Sequence, residues 1–371
     1  MKFSVNSTDL LKQLQIANGA ISSNPVLPIL EDFLFTIVSN QLTISATDLE
    51  TSITTSLDVM SDANGLVAVP ARILLDTLKA LPSQPITFSI NDENFGIEIT
   101  SAFGKYRLAG EDGNDFPQIP DADLSQSVTL PAGTLGQAIA KTLFATSSDD
   151  LRPAMTGVYF QIEKEGITFV ATDAHRLVRY KSTSAQGEHS ANFIMPKKAL
   201  NLLKGVLPVG EQVTLSFNKT NAFFSFANVH LVCRLIDARY PDYNAVIPTD
   251  NPNVLNVGRS DLQNSLKRIA IYANKTTNQV VLNIQDGSLT ISAQDLDFSN
   301  EATEQLTCTY SGTPITIGFN AKFMVEMLGV LDGDEIKIEL STPSRAGLML
   351  PTESVDGESI LMLVMPVMLG N

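Results

Sequence analysis

Acid–base or metal chemistry in this chain would have to begin at His175, His189 or His230, its only histidines. None stands four residues from another or at metal-ligand spacing from a cysteine, so a zinc site is not expected. Asp173 and His175 invite a catalytic reading, yet no G-x-S-x-G elbow or comparable nucleophile motif accompanies them. Asp149 and Asp150 have the composition of a metal pair, but two acids in a polar loop are usually just solvated. Gly110-Glu111-Asp112-Gly113 lacks the lysine that a phosphate-cradling loop needs. The expectation is a protein with no catalytic constellation, no metal and no cofactor.

The elements that hold these residues repeat three times. Leu42-Thr43-Ile44-Ser45-Ala46-Thr47-Asp48-Leu49 returns as Ile167-Thr168-Phe169-Val170-Ala171-Thr172-Asp173-Ala174 and again as Leu289-Thr290-Ile291-Ser292-Ala293-Gln294-Asp295-Leu296. The aspartates lie 125 and 122 residues apart, close to one third of the chain. Val69-Pro70-Ala71-Arg72, Met195-Pro196-Lys197-Lys198 and Phe319-Asn320-Ala321-Lys322 keep the same step, and each opens a helical pattern. Another amphipathic stretch starts each copy, at 9–19, 131–146 and 259–274. Pro70 and Pro196 are expected in the first helical turn, where a missing N–H costs nothing. Runs such as Ile86-Thr87-Phe88-Ser89-Ile90 alternate with period two and read as strands. Asp92-Glu93-Asn94, Asn218 to Asn221 and Asp286-Gly287 read as their hairpin turns. Because Asp48, Asp173 and Asp295 recur at one place in the pattern, a role in capping turn N–H groups explains them better than catalysis. The fold class expected is α+β, in three repeated domains at 1–122, 123–250 and 251–371, joined by short Pro/Asp-rich links.

Hydrophobic content of 44% and charged content of 18% describe a soluble globular protein. No stretch reaches the ~20 apolar residues of a membrane span, and the N-terminus lacks an apolar signal core, so a cytoplasmic location is expected. Cys233 and Cys308 suggest reduced thiols. A net charge of -15 argues on its face for a repeat scaffold that binds proteins only. The charge is unevenly placed, however. The six helical stretches (9–19, 70–81, 131–146, 196–207, 259–274, 319–331) carry eleven bases against four acids. Arg72, Asp76 and Lys79 fall at i, i+4, i+7, as do Lys197, Asn201 and Lys204, each row opposite an apolar face. Such a wall would hold phosphates loosely, without reading sequence.

Repeats of helix on sheet leave an open strand edge at each end, which must be covered. Head-to-tail contact of such ends makes either a fibre or a closed ring. With two inner helices per copy at ~8–10 Å spacing, one chain would close around almost nothing, whereas two chains give about 34 Å between axes, enough for a duplex. A homodimer is therefore expected if a ring forms.

Ala171-Thr172-Asp173-Ala174-His175-Arg176-Leu177 resembles the T-D-G-H-R-L signature of the bacterial DNA sliding clamps, the DNA polymerase III beta subunit family. Met1-Lys2-Phe3, Leu27-Pro28-Ile29-Leu30, Tyr240-Pro241-Asp242-Tyr243 and Val364-Met365-Pro366-Val367 are similar to that family too, in order along the whole chain. The resemblance implies three clamp domains in a head-to-tail homodimeric ring. It implies a non-catalytic processivity factor that encircles double-stranded DNA, is loaded by an ATP-driven clamp loader, and tethers polymerase and repair proteins by short linear motifs. The motif pocket it implies comprises Met155, Thr172, His175, Arg176, Leu177, Pro241, Val246, Leu363, Val364, Met365, Pro366, Val367 and Met368, with His175 and Arg176 as polar anchors at its rim. DNA contacts would fall to Arg72, Lys79, Arg152, Lys197, Lys198 and Lys204. The dimer joint would use Lys105, Tyr106, Arg107 and Leu108 with Ile271 and Tyr272. The chain departs from the family at Asn24, Asp149, Pro153-Ala154, Ala174 and Ala245.

Overall fold

The computed structural model describes residues 1–22, 24–122, 126–187 and 189–369. The expected junction at 122/123 borders residues outside that set. Each copy begins with a strand and a helix: α1 (Ser7–Ala17), α3 (Ala132–Thr142) or α5 (Arg259–Ile269). Each of these helices tightens into a 3-10 turn, at Asn18–Ala20, Leu143–Ala145 and Ala270–Tyr272, so the regular α-helix stops short of the stretch expected from periodicity. Antiparallel strands follow, five in the first and third copies and four in the second, then a second helix: α2 (Ala71–Ala80), α4 (Lys197–Val206) or α6 (Ala321–Val330). Three more strands finish the second and third copies, and four finish the first.

Pro70 and Pro196 are not in the first helical turn. They close the preceding strands, in register with Asp32 and Gly157 respectively, and Pro70 (φ -53°, ψ 113°) is the N-cap of α2. A residue without an N–H fits a strand end, where no ladder donor is required. In the third copy Asn320 takes this position and caps α6 with its side chain, accepting from the N–H groups of Lys322 (3.0 Å) and Phe323 (3.3 Å).

Compactness follows shared sheets rather than the repeat. The first compact unit comprises Met1–Gly133 and Lys198–Leu235, and the second comprises Thr134–Lys197 and Ile236–Asn371. In the first, a five-stranded sheet ends on the strand Lys105–Ala109, and a nine-stranded sheet runs from Glu111–Asp112 to Ser127–Pro131. The nine-stranded sheet joins first-copy to second-copy strands where Thr51–Asp58 pairs antiparallel with Val229–Arg234 (Ile53 opposite Leu231). In the second unit another nine-stranded sheet joins second to third copy where Arg176–Ser182 pairs with Glu358–Val364, through seven residues from Arg176–Val364 to Ser182–Glu358. A four-stranded sheet in that unit ends on Asn300–Leu306.

Aromatic rings fill both units. Phe3 stacks on Phe88 at 4.7 Å with Phe35 edge-on to Phe3 at 6.3 Å, while Phe160 meets Phe169 at 4.7 Å and Phe193 at 5.5 Å. Burial of these side chains supplies the apolar area that holds helices on sheets.

Candidate functional site

Thr172 ends one strand and Arg176 begins the next, so the chain must reverse over three residues. Asp173 organises the reversal: its Oδ1 accepts from the N–H groups of His175 (3.0 Å) and Arg176 (2.9 Å), and Thr172 Oγ1 donates to the Arg176 carbonyl (2.7 Å). Ala174 is driven to φ +74°, a left-handed conformation that glycine adopts more readily. The same device recurs where Asp48 Oδ1 accepts from Glu50 (3.0 Å) and Thr51 (2.7 Å), with Leu49 at φ +79°. Asp295 likewise accepts from Asp297 (3.2 Å). The recurring aspartates are turn-capping groups, as their spacing suggested.

Arg176 departs from the expected rim position. Its side chain is 8% exposed and its guanidinium is satisfied internally. Nε donates to Asp173 Oδ2 (3.1 Å), Nη2 donates to the Phe144 carbonyl (2.9 Å), and Nη1 donates to Glu326 on α6. The plane lies 4.5 Å from the Phe323 ring and 5.1 Å from Phe144. Strand alternation explains the difference: Arg176 pairs with Val364 on the sheet face that carries the helices, whereas Leu177 pairs with Leu363 on the other face. Of its two ion pairs only Arg176–Asp173 is buried on both sides (8% and 14% exposed), and removing one partner from it costs about 3–5 kcal/mol, whereas Glu326 is half exposed. Arg176 therefore fixes the turn to α6 and lets the exposed His175 stack on Phe323 (6.0 Å, 25°).

On the opposite face Leu177 and Leu363 are buried in an apolar cluster with Val170, Ile194, Leu348 and Ala346, the candidate floor of a peptide trough. Tyr240 stacks on Tyr159 at 4.6 Å and donates its hydroxyl to the Val170 carbonyl (3.3 Å), while Tyr243 donates to Gln161 (2.8 Å). Val246 (57% exposed), Met365 (41%), Met368 (70%) and Pro241 are exposed, and Met155 and Pro366 are half-buried. The tail is strapped down: Met365 N–H donates to the His175 carbonyl (2.8 Å) and Val367 N–H to Gly318 (2.8 Å). Of the thirteen expected residues, Thr172, Arg176, Leu177, Leu363 and Val364 are all buried. Reading the sequence alone missed Ile194, Ala346, Leu348 and Phe323, and the run Gly347–Pro351 carries no alternation that would single out Leu348. Exposed, flexible methionines and a fixed apolar cluster suit an apolar peptide of varied sequence.

The basic residues occupy helix surfaces. Arg72 and Lys79 are exposed on α2 opposite buried Leu74, Leu75 and Leu78; Lys198 and Lys204 are exposed on α4 opposite buried Ala199, Leu200 and Leu203. Lys197, the first residue of α4, is exposed as well. Lys79 faces Asp76 at 3.9 Å, and Lys198 pairs with Asp48 yet keeps half of its side chain exposed. Arg152 donates to Asp149 (2.9 Å), which holds that carboxyl below its ordinary range. Several of the eleven helix-borne bases are engaged within the fold, Arg268 by both carboxylate oxygens of Glu304 (2.7 and 2.6 Å). Lys141 is buried against Asp332 (2.8 Å) and the Tyr180 ring (5.2 Å), and Arg259 donates to the carbonyls of Gly333 (2.7 Å) and Leu328 (3.2 Å).

At the open edges, Lys105 and Arg107 are exposed and both bind Glu98, at 2.7 and 3.1 Å, with Tyr106 half-buried and Leu108 buried. Ile271 is 65% and Tyr272 42% exposed. The strand Asn300–Leu306, absent from the expected joint, carries Glu301 and Glu304. Its signal lay in the repeat, which aligns it with Thr51–Asp58 and Arg176–Ser182.

Models of the DNA polymerase III beta subunit match the chain throughout: the N-terminal domain at residues 1–120, the central domain at 129–242 and the C-terminal domain at 244–367. The beta sliding clamp of Vibrio cholerae is 30% identical over the whole of both chains. Among solved structures, the DNA polymerase sliding clamp of Bacillus subtilis superposes with a TM-score of 0.94 at 25% identity, covering all of both chains. The sliding clamp of Bartonella birtlesii bound to griselimycin superposes with a TM-score of 0.93 at 28% identity, again over all of both chains. Three repeats of one α+β design, matched in order by three models of one subunit, make this chain a member of the DNA polymerase III beta subunit family, the beta sliding clamps, which are non-catalytic.

Proposed function

We propose that two copies of this chain close head to tail into a ring around duplex DNA and tether replication and repair proteins through the Leu177–Leu363 trough. The carrying observation is the matching of strand edges. Thr51–Asp58 pairs with Val229–Arg234, and Arg176–Ser182 with Glu358–Val364, so each copy offers one edge forward and one back. The back edge of the first copy, Lys105–Ala109, and the forward edge of the third, Asn300–Leu306, end their sheets. The first bears Lys105 and Arg107; the second bears Glu301 and Glu304. Pairing them between chains with Ile271 and Tyr272 alongside supplies the missing third kind of joint and closes the ring.

In this reading the functional repeats are 1–122, 123–250 and 251–371. Arg72, Lys79, Arg152, Lys197, Lys198 and Lys204 meet phosphates without sequence readout, and acidic surfaces elsewhere keep the contact loose enough to slide. A clamp loader driven by ATP opens the ring, and the protein works in the cytoplasm. Short linear motifs of polymerase and repair proteins lie on the trough, with Met365 and Met368 adjusting to each. Retention on nicked circular DNA, measured after loading by gel filtration, is expected to vanish once the circle is linearised. Retention indifferent to topology would overturn encirclement.

A further inference from the structure

The third copy's turn differs from its two counterparts. The first and second reverse within four residues, Asp48 to Thr51 and Asp173 to Arg176, each closed by a backbone bond from the aspartate N–H to the last carbonyl (3.2 and 3.3 Å). The third runs from Asp295 to its ladder partner Asn300, two residues longer. The added length carries Leu296 and Phe298, 79% and 73% exposed. Ile271 (65%) and Tyr272 (42%), on the 3-10 turn that follows α5, are further exposed apolar groups of this copy.

The first two turns each meet the second helix of the following copy. Asp48 pairs with Lys198 on α4, and Leu202 of α4 lies so close to Gly19 that a Cβ there would collide with it. Arg176 pairs with Glu326 on α6, and His175 stacks on Phe323. The repeat register makes Arg72, Ile73 and Asp76 of α2 the counterparts of Lys198, Ala199 and Leu202, and of Lys322, Phe323 and Glu326. Helix α2 has no preceding copy in its own chain. It lines instead a cleft of about 920 Å³ with Ile21, Glu31 and Lys79, and Ile73 stands there 52% exposed.

We propose that the Leu296–Phe298 turn of one protomer is a plug that fills the α2 cleft of the other, with Phe298 on Ile73 as His175 lies on Phe323. The inference rests on the head-to-tail dimer above and adds the apolar anchor to its paired strands. Asp297 on the turn faces Arg72 at the cleft, but the lining also carries Lys79, Glu31, Asp32 and Asp76, so apolar contact rather than charge carries the seat. Arg72 need not leave the DNA surface, since Lys198 stays half exposed while paired. The chemistry also suits a joint between chains. The two internal joints are built before assembly and hold ion pairs there, whereas separate chains gain most from burying apolar groups, because buried ion pairs contribute little net free energy.

Sedimentation equilibrium on the full-length protein tests this. Leu296→Ala with Phe298→Ala is expected to weaken the dimer roughly ten- to a hundredfold. Ile73→Ala should weaken it as well, and combining it with Phe298→Ala should cost less than the sum of the two, since they share one contact. In a Cys308→Ser background, Phe298→Cys with Ile73→Cys is expected to give a covalent dimer under mild oxidation, and neither substitution alone should. A dimer of undiminished affinity, or a dimeric protein in which the paired cysteines never cross-link, would overturn the plug and leave the strand-paired dimer standing. A wild-type protein that is monomeric at micromolar concentration would overturn both.

Discussion

Asp32 shows how one side chain can weaken the fold it belongs to. It begins the strand Asp32–Val38, is 6% exposed, and has its carboxyl pushed up to about 7 by burial, with Glu111 and Glu31 adding repulsion. A carboxyl raised in the folded state holds a proton that the unfolded chain gives up, so rising pH favours unfolding between about 4 and 7. Its contribution is therefore best at low pH and is lost as pH climbs through the folded value. Asp32→Asn stays neutral throughout, and its stability advantage over the parent should grow from pH 5 to pH 8 and then level off. Urea midpoints of both proteins across that range are the measurement; a difference independent of pH would contradict the assignment. Arg176 makes a different point at this scale. Its identity was legible from the T-D-A-H-R-L run, but its direction was not, because a residue's face of the sheet depends on the ladder register with Glu358–Val364.

At the scale of elements, the helices were legible because apolar residues recur at helical spacing, and their polar stripes came with them. Their ends were less so: Pro70 and Pro196 cap from the strand side, and the first helix of each copy narrows into a 3-10 turn. Composition could not say which cations stay free either. Lys141 and Arg259 look like Lys79 and Lys204 in sequence, yet bind Asp332 and the carbonyls of Leu328 and Gly333, respectively. The exposed stripe yields a prediction. Reversing Arg72, Lys197 and Lys198 together to glutamate should weaken DNA retention, and the slope of log affinity against log salt should flatten by about 0.9 for each phosphate no longer neutralised. Salt titrations of DNA retention check it, and an unaltered slope would make these three residues bystanders.

Across the whole molecule, the trough belongs to no single repeat. Its floor takes Leu177 and Tyr240 from the second copy and Leu348 and Leu363 from the third, and the tail is strapped to both by Met365 N–H on His175 and Val367 N–H on Gly318. Deleting Met365 to Asn371, the last two of which lie outside the described residues, is expected to abolish binding of a fluorescent motif peptide while sedimentation still reports a dimer. Peptide affinity that survives the deletion would move the binding site elsewhere. The order of residues was enough to establish the three copies, their helix faces and the turn aspartates, because periodicity and local hydrogen bonding act within a few residues. Which copies share a sheet, where Arg176 points and which edges stay open emerged only from the folded chain, because each depends on pairing between strands more than a hundred residues apart, to which no local pattern is sensitive.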